Sequence, residues 1–141
     1  MNNADPITDP ADALTGQDIA LAAGETLFRE GDIGDRAYVV RSGRLEILRH
    51  VSGRDVVVAI EGPGTILGEM ALIDAQPRSA TVRALDDARL SVVPKPAFEF
   101  HLARTDPVIR MLLERFTAII RTTTAENAKL TLAADRHAPE S

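Results

Sequence analysis

From Ile19 onward, glycine punctuates the chain at short intervals, and only a few apolar residues lie between one glycine turn and the next. Thr26-Leu27-Phe28 precedes Glu30-Gly31-Asp32. Ala37 to Arg41 precedes Ser42-Gly43, and Arg44 to Arg49 precedes Ser52-Gly53. Val56 to Ile60 leads to Gly62-Pro63-Gly64, and Ser79 to Leu85 and Arg89 to Val93 add two more runs. Each run has the β-branched content and the turn punctuation of a strand. Tyr38-Val39-Val40 and Leu45-Glu46-Ile47 flank Ser42-Gly43 so closely that a tight hairpin is expected there. Many short strands at this spacing predict an antiparallel β-sandwich or jelly roll.

The two ends read differently. Residues 1–18 are rich in Asp, Pro and small residues, which predicts a flexible tail or a weak helix outside the core. Pro94-Lys95-Pro96 stops the last strand, and Ala97 to Ala103 suits a short helix. Asp106-Pro107 reads as a helix N-cap with proline at the first helical position. After it, Leu112, Phe116, Ile119 and Thr123 recur at intervals of three and four, so one helix face is apolar. That stripe suits packing on the chain's own sandwich or a dimer seam. The helix is expected to reach about Leu132. The fold class is therefore mainly β with flanking helices, including a short inserted helix and a C-terminal one. Residues 19–133 form the expected domain, followed by a frayed tail at 134–141.

Composition narrows the function. The 141 residues fit one domain and can bury a core without staples. Cysteine is absent, which excludes disulfides, thiolate metal sites and cysteine nucleophiles. A net charge of −5, with scattered basic residues, argues against a nucleic-acid partner, because phosphates need a basic face. No signal peptide is visible and no run approaches a membrane span, so no membrane partner and a cytoplasmic location are expected.

One stretch, Thr65 to Val82, breaks the strand rhythm. A strand approaches Gly68, Glu69 to Ile73 suits one or two helical turns, and Gln76-Pro77 ends them before Arg78 opens the next strand. A helix start inserted between strands leaves N–H groups without intrahelical partners, which suits an anion. Glycine at the entrance admits a close ligand. Arg78 offers a planar fork of donors to the same anion. Glu69 beside an anion makes sense as the acceptor of a neighbouring hydroxyl, as acidic residues serve a ribose in dinucleotide-binding folds. These features fit a sugar phosphate with one negative charge. The same residue types also describe a plain turn and a surface arginine.

The order of residues goes further. Gly68-Glu69-Met70-Ala71-Leu72 followed by Pro77-Arg78-Ser79-Ala80-Thr81-Val82 resembles the phosphate-binding cassette of the cyclic nucleotide-binding domain family. Phe28-Arg29-Glu30-Gly31-Asp32 and Tyr38-Val39-Val40-Arg41-Ser42-Gly43 resemble that family's early turn and following strand. The resemblance covers about Leu21 to Phe116 and implies an eight-stranded jelly roll with flanking helices. It implies that Arg78 pairs with the cyclic phosphate and Glu69 accepts from the ribose 2′-hydroxyl. The backbone of Gly68, Glu69 and Met70 would line the sugar-phosphate, with Ser79 adding a hydroxyl and Ala80 a backbone N–H. Val57, Ile66, Leu67 and Val82 are candidates for the base wall. The C-terminal helix would close over the base with Arg121 or Asn127, and would be the moving part.

The expected ligand is cyclic AMP, with cyclic GMP as the second choice, since serine at the Ser79 position occurs in members favouring either. No other cofactor is implied. Partners would be a second copy through the C-terminal helix, or an effector protein. The chain ends soon after that helix, with no room for a helix-turn-helix reader, so a complete transcription factor is not expected. Enzyme readings have little support. His50, His101 and His137 lack metal-ligand spacing, and no nucleophile elbow or Walker loop is present. A ligand-free interaction scaffold of the same fold is the alternative, and it would be expected to lose Arg78 or Glu69.

Overall fold

A computed structural model of the chain describes residues 17–137, apart from a few side chains in the C-terminal half of the last helix and at its end. Eight strands are formed: β1 Gln17–Leu21, β2 Thr26–Phe28, β3 Arg36–Ser42, β4 Leu45–Val51, β5 Arg54–Glu61, β6 Ile66–Leu67, β7 Thr81–Ala84 and β8 Ala88–Pro94. Helix α1 (Glu69–Asp74) is inserted between β6 and β7, and α2 (Lys95–Ala103) and α3 (Pro107–His137) follow the last strand. The strands form two antiparallel sheets, ordered β1-β8-β3-β6 and β2-β7-β4-β5. This is the sandwich expected from the strand rhythm. The expected tail falls on residues 1–16, outside the described ones, except that Gln17 and Asp18 open β1.

The inner faces supply the core. Tyr38, Val40, Leu45, Val82, Leu90 and Val92 pack in one cluster, with Leu45 and Leu90 fully buried. β3 is buried continuously from Ala37 to Val40, because both of its faces are covered. Tyr38 and Val40 face the sandwich, while Ala37 and Val39 meet Leu72 of α1 and Val93. The short inserted helix is thus seated on the outside of the first sheet by an apolar contact.

The expected hairpin at Ser42-Gly43 is not formed. β3 and β4 lie in different sheets, and the turn carries the chain from one to the other. Gly43 has φ +83°, and a Cβ there would strike the Asp87 carbonyl, so this crossing needs glycine. The tight hairpin lies one connection later, where Val51 pairs with Arg54 across Ser52-Gly53. Both turn residues have positive φ, 51° and 80°, which matches the right-handed twist of the strands.

Asp106 caps α3 as expected, its Oδ1 accepting from the Val108 N–H at 2.8 Å with Pro107 as the first helical residue. The helix runs past Leu132 to His137, since no glycine or proline interrupts it before Pro139. The apolar stripe does not face the sandwich. Leu112, Phe116 and Ile119 are 42%, 54% and 50% exposed, whereas Thr117 is buried on the side facing the domain. No helix among the described residues is long and apolar enough to cross a membrane.

Candidate functional site

The local sequence around α1 builds one wall of a cavity of about 310 Å³. Gly68, with φ +78°, turns the chain from β6 into α1 without a side-chain cap. The helix lasts only until Ala75, also left-handed at φ 55°, whose N–H returns to the Ala71 carbonyl. The chain then comes back through Pro77 and delivers Arg78, Ser79 and Ala80 to the start of β7. Leu67 to Ala71 and Arg78 to Ala80 therefore line the same cavity. Ile47, Val58, Ala59 and Val82 form its apolar wall, and Ile120 and Arg121 of α3 close it.

Arg78 is 5% exposed. Its Nη1 donates to the Gly68 carbonyl at 2.9 Å and its Nη2 to the Arg36 carbonyl at 2.7 Å. The guanidinium carbon sits 4.1 Å from the centroid of the Phe28 ring. Two glycines make room for it, since a Cβ at Gly34 or Gly68 would overlap the guanidinium. Burial lowers its pKa, with Tyr38, Asp35 and Asp32 acting the other way. A guanidinium keeps its charge in proteins. Its Nε is buried without a partner. Among the described residues the cation is met by carbonyl dipoles and a ring face, and by no carboxylate at ion-pair distance. A buried charge left in that state is costly, and an anion in the cavity would compensate it.

Glu69 opens α1 and also lines the cavity. Burial pushes its carboxyl above the ordinary glutamate value, and Glu61 adds to this. Its own backbone N–H, Arg78 and Arg121 pull the other way without cancelling the rise. A desolvated carboxylate is poised to accept a hydrogen bond from a donor entering the cavity. Arg121 is committed elsewhere. Its Nε and Nη2 grip Asp74 at 2.6 and 3.0 Å, and its Nη1 donates to the Pro77 carbonyl at 3.0 Å. It ties α3 across the end of α1 and leaves part of its stem on the cavity. Behind the wall, Arg49 donates to the Ser79 carbonyl. A trans peptide aims C=O and N–H in opposite directions, so this bond turns the Ala80 N–H away from Arg49.

Residues 19–105 match the family described as "Cyclic nucleotide-binding domain". The chain belongs to that family. The cyclic AMP receptor protein of Thermus thermophilus is 40% identical over 68 residues, 48% of this chain and 32% of that protein. The cAMP-dependent protein kinase regulatory subunit of Schizosaccharomyces pombe is 36% identical over 107 residues, 72% of this chain and 25% of that one. Among solved structures, the cAMP-bound form of the EAL enzyme Bd1971 superposes with a TM-score of 0.72 at 37% identity, covering 76% of this chain and 29% of that one. Its cGMP-bound form gives 0.71 at 38%, covering 74% and 28%. The chain thus spans a third or less of the length of these proteins.

Within this cyclic nucleotide-binding domain, the cavity brings together every residue expected at the ligand except Val57 and Asn127. Ile66 and Val82 line it too. Val57 is 42% exposed, and Val58 and Ala59 face the cavity instead. The cause is a bulge: Ala59 pairs with Ile47 and Val57 with Leu48, which leaves Val58 as the extra residue and resets the alternation. The side chain of Asn127 lies outside those described. Sequence reasoning passed over Gly34, Phe28, Glu61 and Ile120. The close Gly31-Asp32-Ile33-Gly34 turn was a signal for the first. Only the folded arrangement reveals the others.

Proposed function

We propose that this chain is a receptor or regulatory domain, not an enzyme, that binds a cyclic nucleoside monophosphate, with cyclic AMP favoured over cyclic GMP. The observation carrying this is Arg78, a buried cation with an unpartnered Nε on a cavity with an apolar wall. An anion there would compensate the buried charge of Arg78. Glu69 lines the same cavity and suits a ribose 2′-hydroxyl donor. The cassette backbone from Leu67 to Met70, together with Ser79 and Ala80, is read as holding the sugar-phosphate. Arg121 is read as the closing contact of α3. The scaffold alternative is disfavoured, because a site without a ligand gains nothing from burying Arg78 and Glu69 (both unfavourable as charges).

Signalling is read as movement of α3, whose Ile120 and Arg121 touch the cavity. The outward stripe of α3 fits a second copy of this chain. Ile109 and Phe116, and Leu112 and Ile119, repeat at seven residues, the spacing of a helix-pair seam.

Titration calorimetry with cyclic AMP and cyclic GMP tests the reading. Wild type is expected to bind, cyclic GMP equally or more weakly. Losing a charge-assisted bond to a buried anion costs about 2–5 kcal/mol. Arg78→Ala should therefore weaken binding by roughly 30- to several-thousand-fold. Arg78→Lys keeps the charge without the fork and should lose less. Heatless titration of wild type with both nucleotides, or affinity of Arg78→Ala within threefold of wild type, contradicts the reading.

A further inference from the structure

Glu61 is out of place. It ends β5 opposite Leu45, which is fully buried, so its side chain stands on the inward face of the sheet. The preceding inward pair on these strands is Ile47 with Ala59, both apolar and both lining the cavity. The pattern calls for another apolar residue, and the chain has a half-buried carboxylate that lines the cavity as well. Across the Gly62-Pro63-Gly64 turn, the Thr65 hydroxyl donates to Glu61 Oε2 at 3.3 Å. Among the described residues that hydroxyl is its partner, and no Lys or Arg pairs with it. Oε1 has no hydrogen-bond partner among the described residues.

Its location decides what it can meet. Arg78 stacks on Phe28 of β2, at one edge of the second sheet, while Glu61 belongs to β5 at the other edge. Three strand spacings separate the edges, roughly 14 Å. Glu69 follows Gly68, whose carbonyl accepts from Arg78, and lines the same cavity as both Arg78 and Glu61. A ligand with its phosphate on Arg78 and its sugar on Glu69 therefore points its base toward Glu61. A carboxylate near the phosphate would repel the ligand, whereas at the base end it meets a group that can donate. We propose that Glu61 reads the base, its carboxylate accepting a hydrogen bond from the exocyclic amine of a purine. This rests on the receptor reading above and adds the chemistry by which the site selects among cyclic nucleotides.

The test compares each nucleotide with a counterpart in which hydrogen replaces the exocyclic amine. Cyclic AMP is paired with purine riboside 3′,5′-cyclic monophosphate, and cyclic GMP with cyclic IMP. Affinities are measured on wild type, Glu61→Leu and Glu61→Gln. A charge-assisted bond predicts that wild type binds one amine-bearing member at least about tenfold more tightly than its partner. The pair that shows this identifies the base. In Glu61→Leu that ratio should fall to within twofold, and the amine-free nucleotide should bind at least as well as to wild type, because an unpaired carboxylate has been removed. Glu61→Gln keeps a neutral acceptor and should give an intermediate ratio. It also decides the matter should the leucine variant not fold. Ratios that survive both substitutions, with binding intact, overturn the role of Glu61 alone. Absence of binding by wild type to all four nucleotides overturns the receptor reading and this one with it.

Discussion

Glu69 and Arg78 both line the cavity, and burial disfavours the charged form of each. Burial raises the Glu69 carboxyl above its unfolded value. Such a group contributes stability that is fully present below the unfolded pKa and lost as pH rises through the folded one. Glu69→Gln should therefore raise the melting temperature of the ligand-free domain at neutral pH, with the gain shrinking as pH falls into the carboxylate range. Binding has the opposite sign. A ribose hydroxyl donating to Glu69 favours its ionised form, so the complex has the lower pKa. Affinity should be flat above the raised free-state value and weaken as pH falls through it. Calorimetry across that window, repeated with the 2′-deoxy nucleotide, separates this from a general acid effect. The deoxy analogue should bind more weakly at neutral pH and show a smaller pH dependence. Equal dependence for both nucleotides would place Glu69 away from the sugar.

At the level of elements, Arg121 of α3 and Asp74 of α1 join the two helices. Burial would raise the Asp74 carboxyl, but hydrogen bonds from Arg121 and the Gln76 N–H outweigh it and hold the carboxyl below its usual value. That stabilisation is present above the unfolded pKa and is lost as pH falls through the lowered folded value. Hydrogen bonds of this charge-assisted kind contribute about 1.5–3 kcal/mol. Asp74 does not line the cavity, so Asp74→Ala should speed amide exchange from Met111 to Leu130 without ligand, and cyclic nucleotide should slow it again. Unchanged exchange across α3 on binding, with clear protection from Gly68 to Val82, would mean a rigid domain that signals through another surface. The elements also show what the sequence disclosed. Strand runs, the cassette and the Asp106-Pro107 cap were legible because each depends on neighbours within a few residues. The partition of β3 and β4 between sheets, and the bulge that replaces Val57 by Val58 at the cavity, depend on partners far away in the chain. No local pattern carries them.

For the whole molecule, the open question is what covers the outer face of α3. Ile109, Leu112, Phe116 and Ile119 are between 42% and 54% exposed and lie on one stripe. Burying a large apolar side chain completely contributes about 1.5–3 kcal/mol. Each of these is already roughly half buried, so two facing stripes would gain about 6–12 kcal/mol. The loss of translational and rotational freedom costs about 4–15 kcal/mol. Only the most favourable combination of these figures, a net of about 8 kcal/mol, reaches a micromolar dissociation constant, so the stripe supports at most a dimer that dissociates on dilution in the micromolar range, not an obligate one. Sedimentation velocity over a concentration series should show that transition. Phe116→Glu should abolish it by placing two carboxylates in the seam. Phe116 is not among the cavity-lining residues, so nucleotide affinity of the variant monomer should stay within about threefold of the dissociated wild type, under roughly 0.7 kcal/mol. A wild-type chain that sediments as a monomer throughout would leave the stripe to a different protein. Loss of nucleotide binding in Phe116→Glu, with the fold intact, would instead show that the seam and the cavity are coupled through α3.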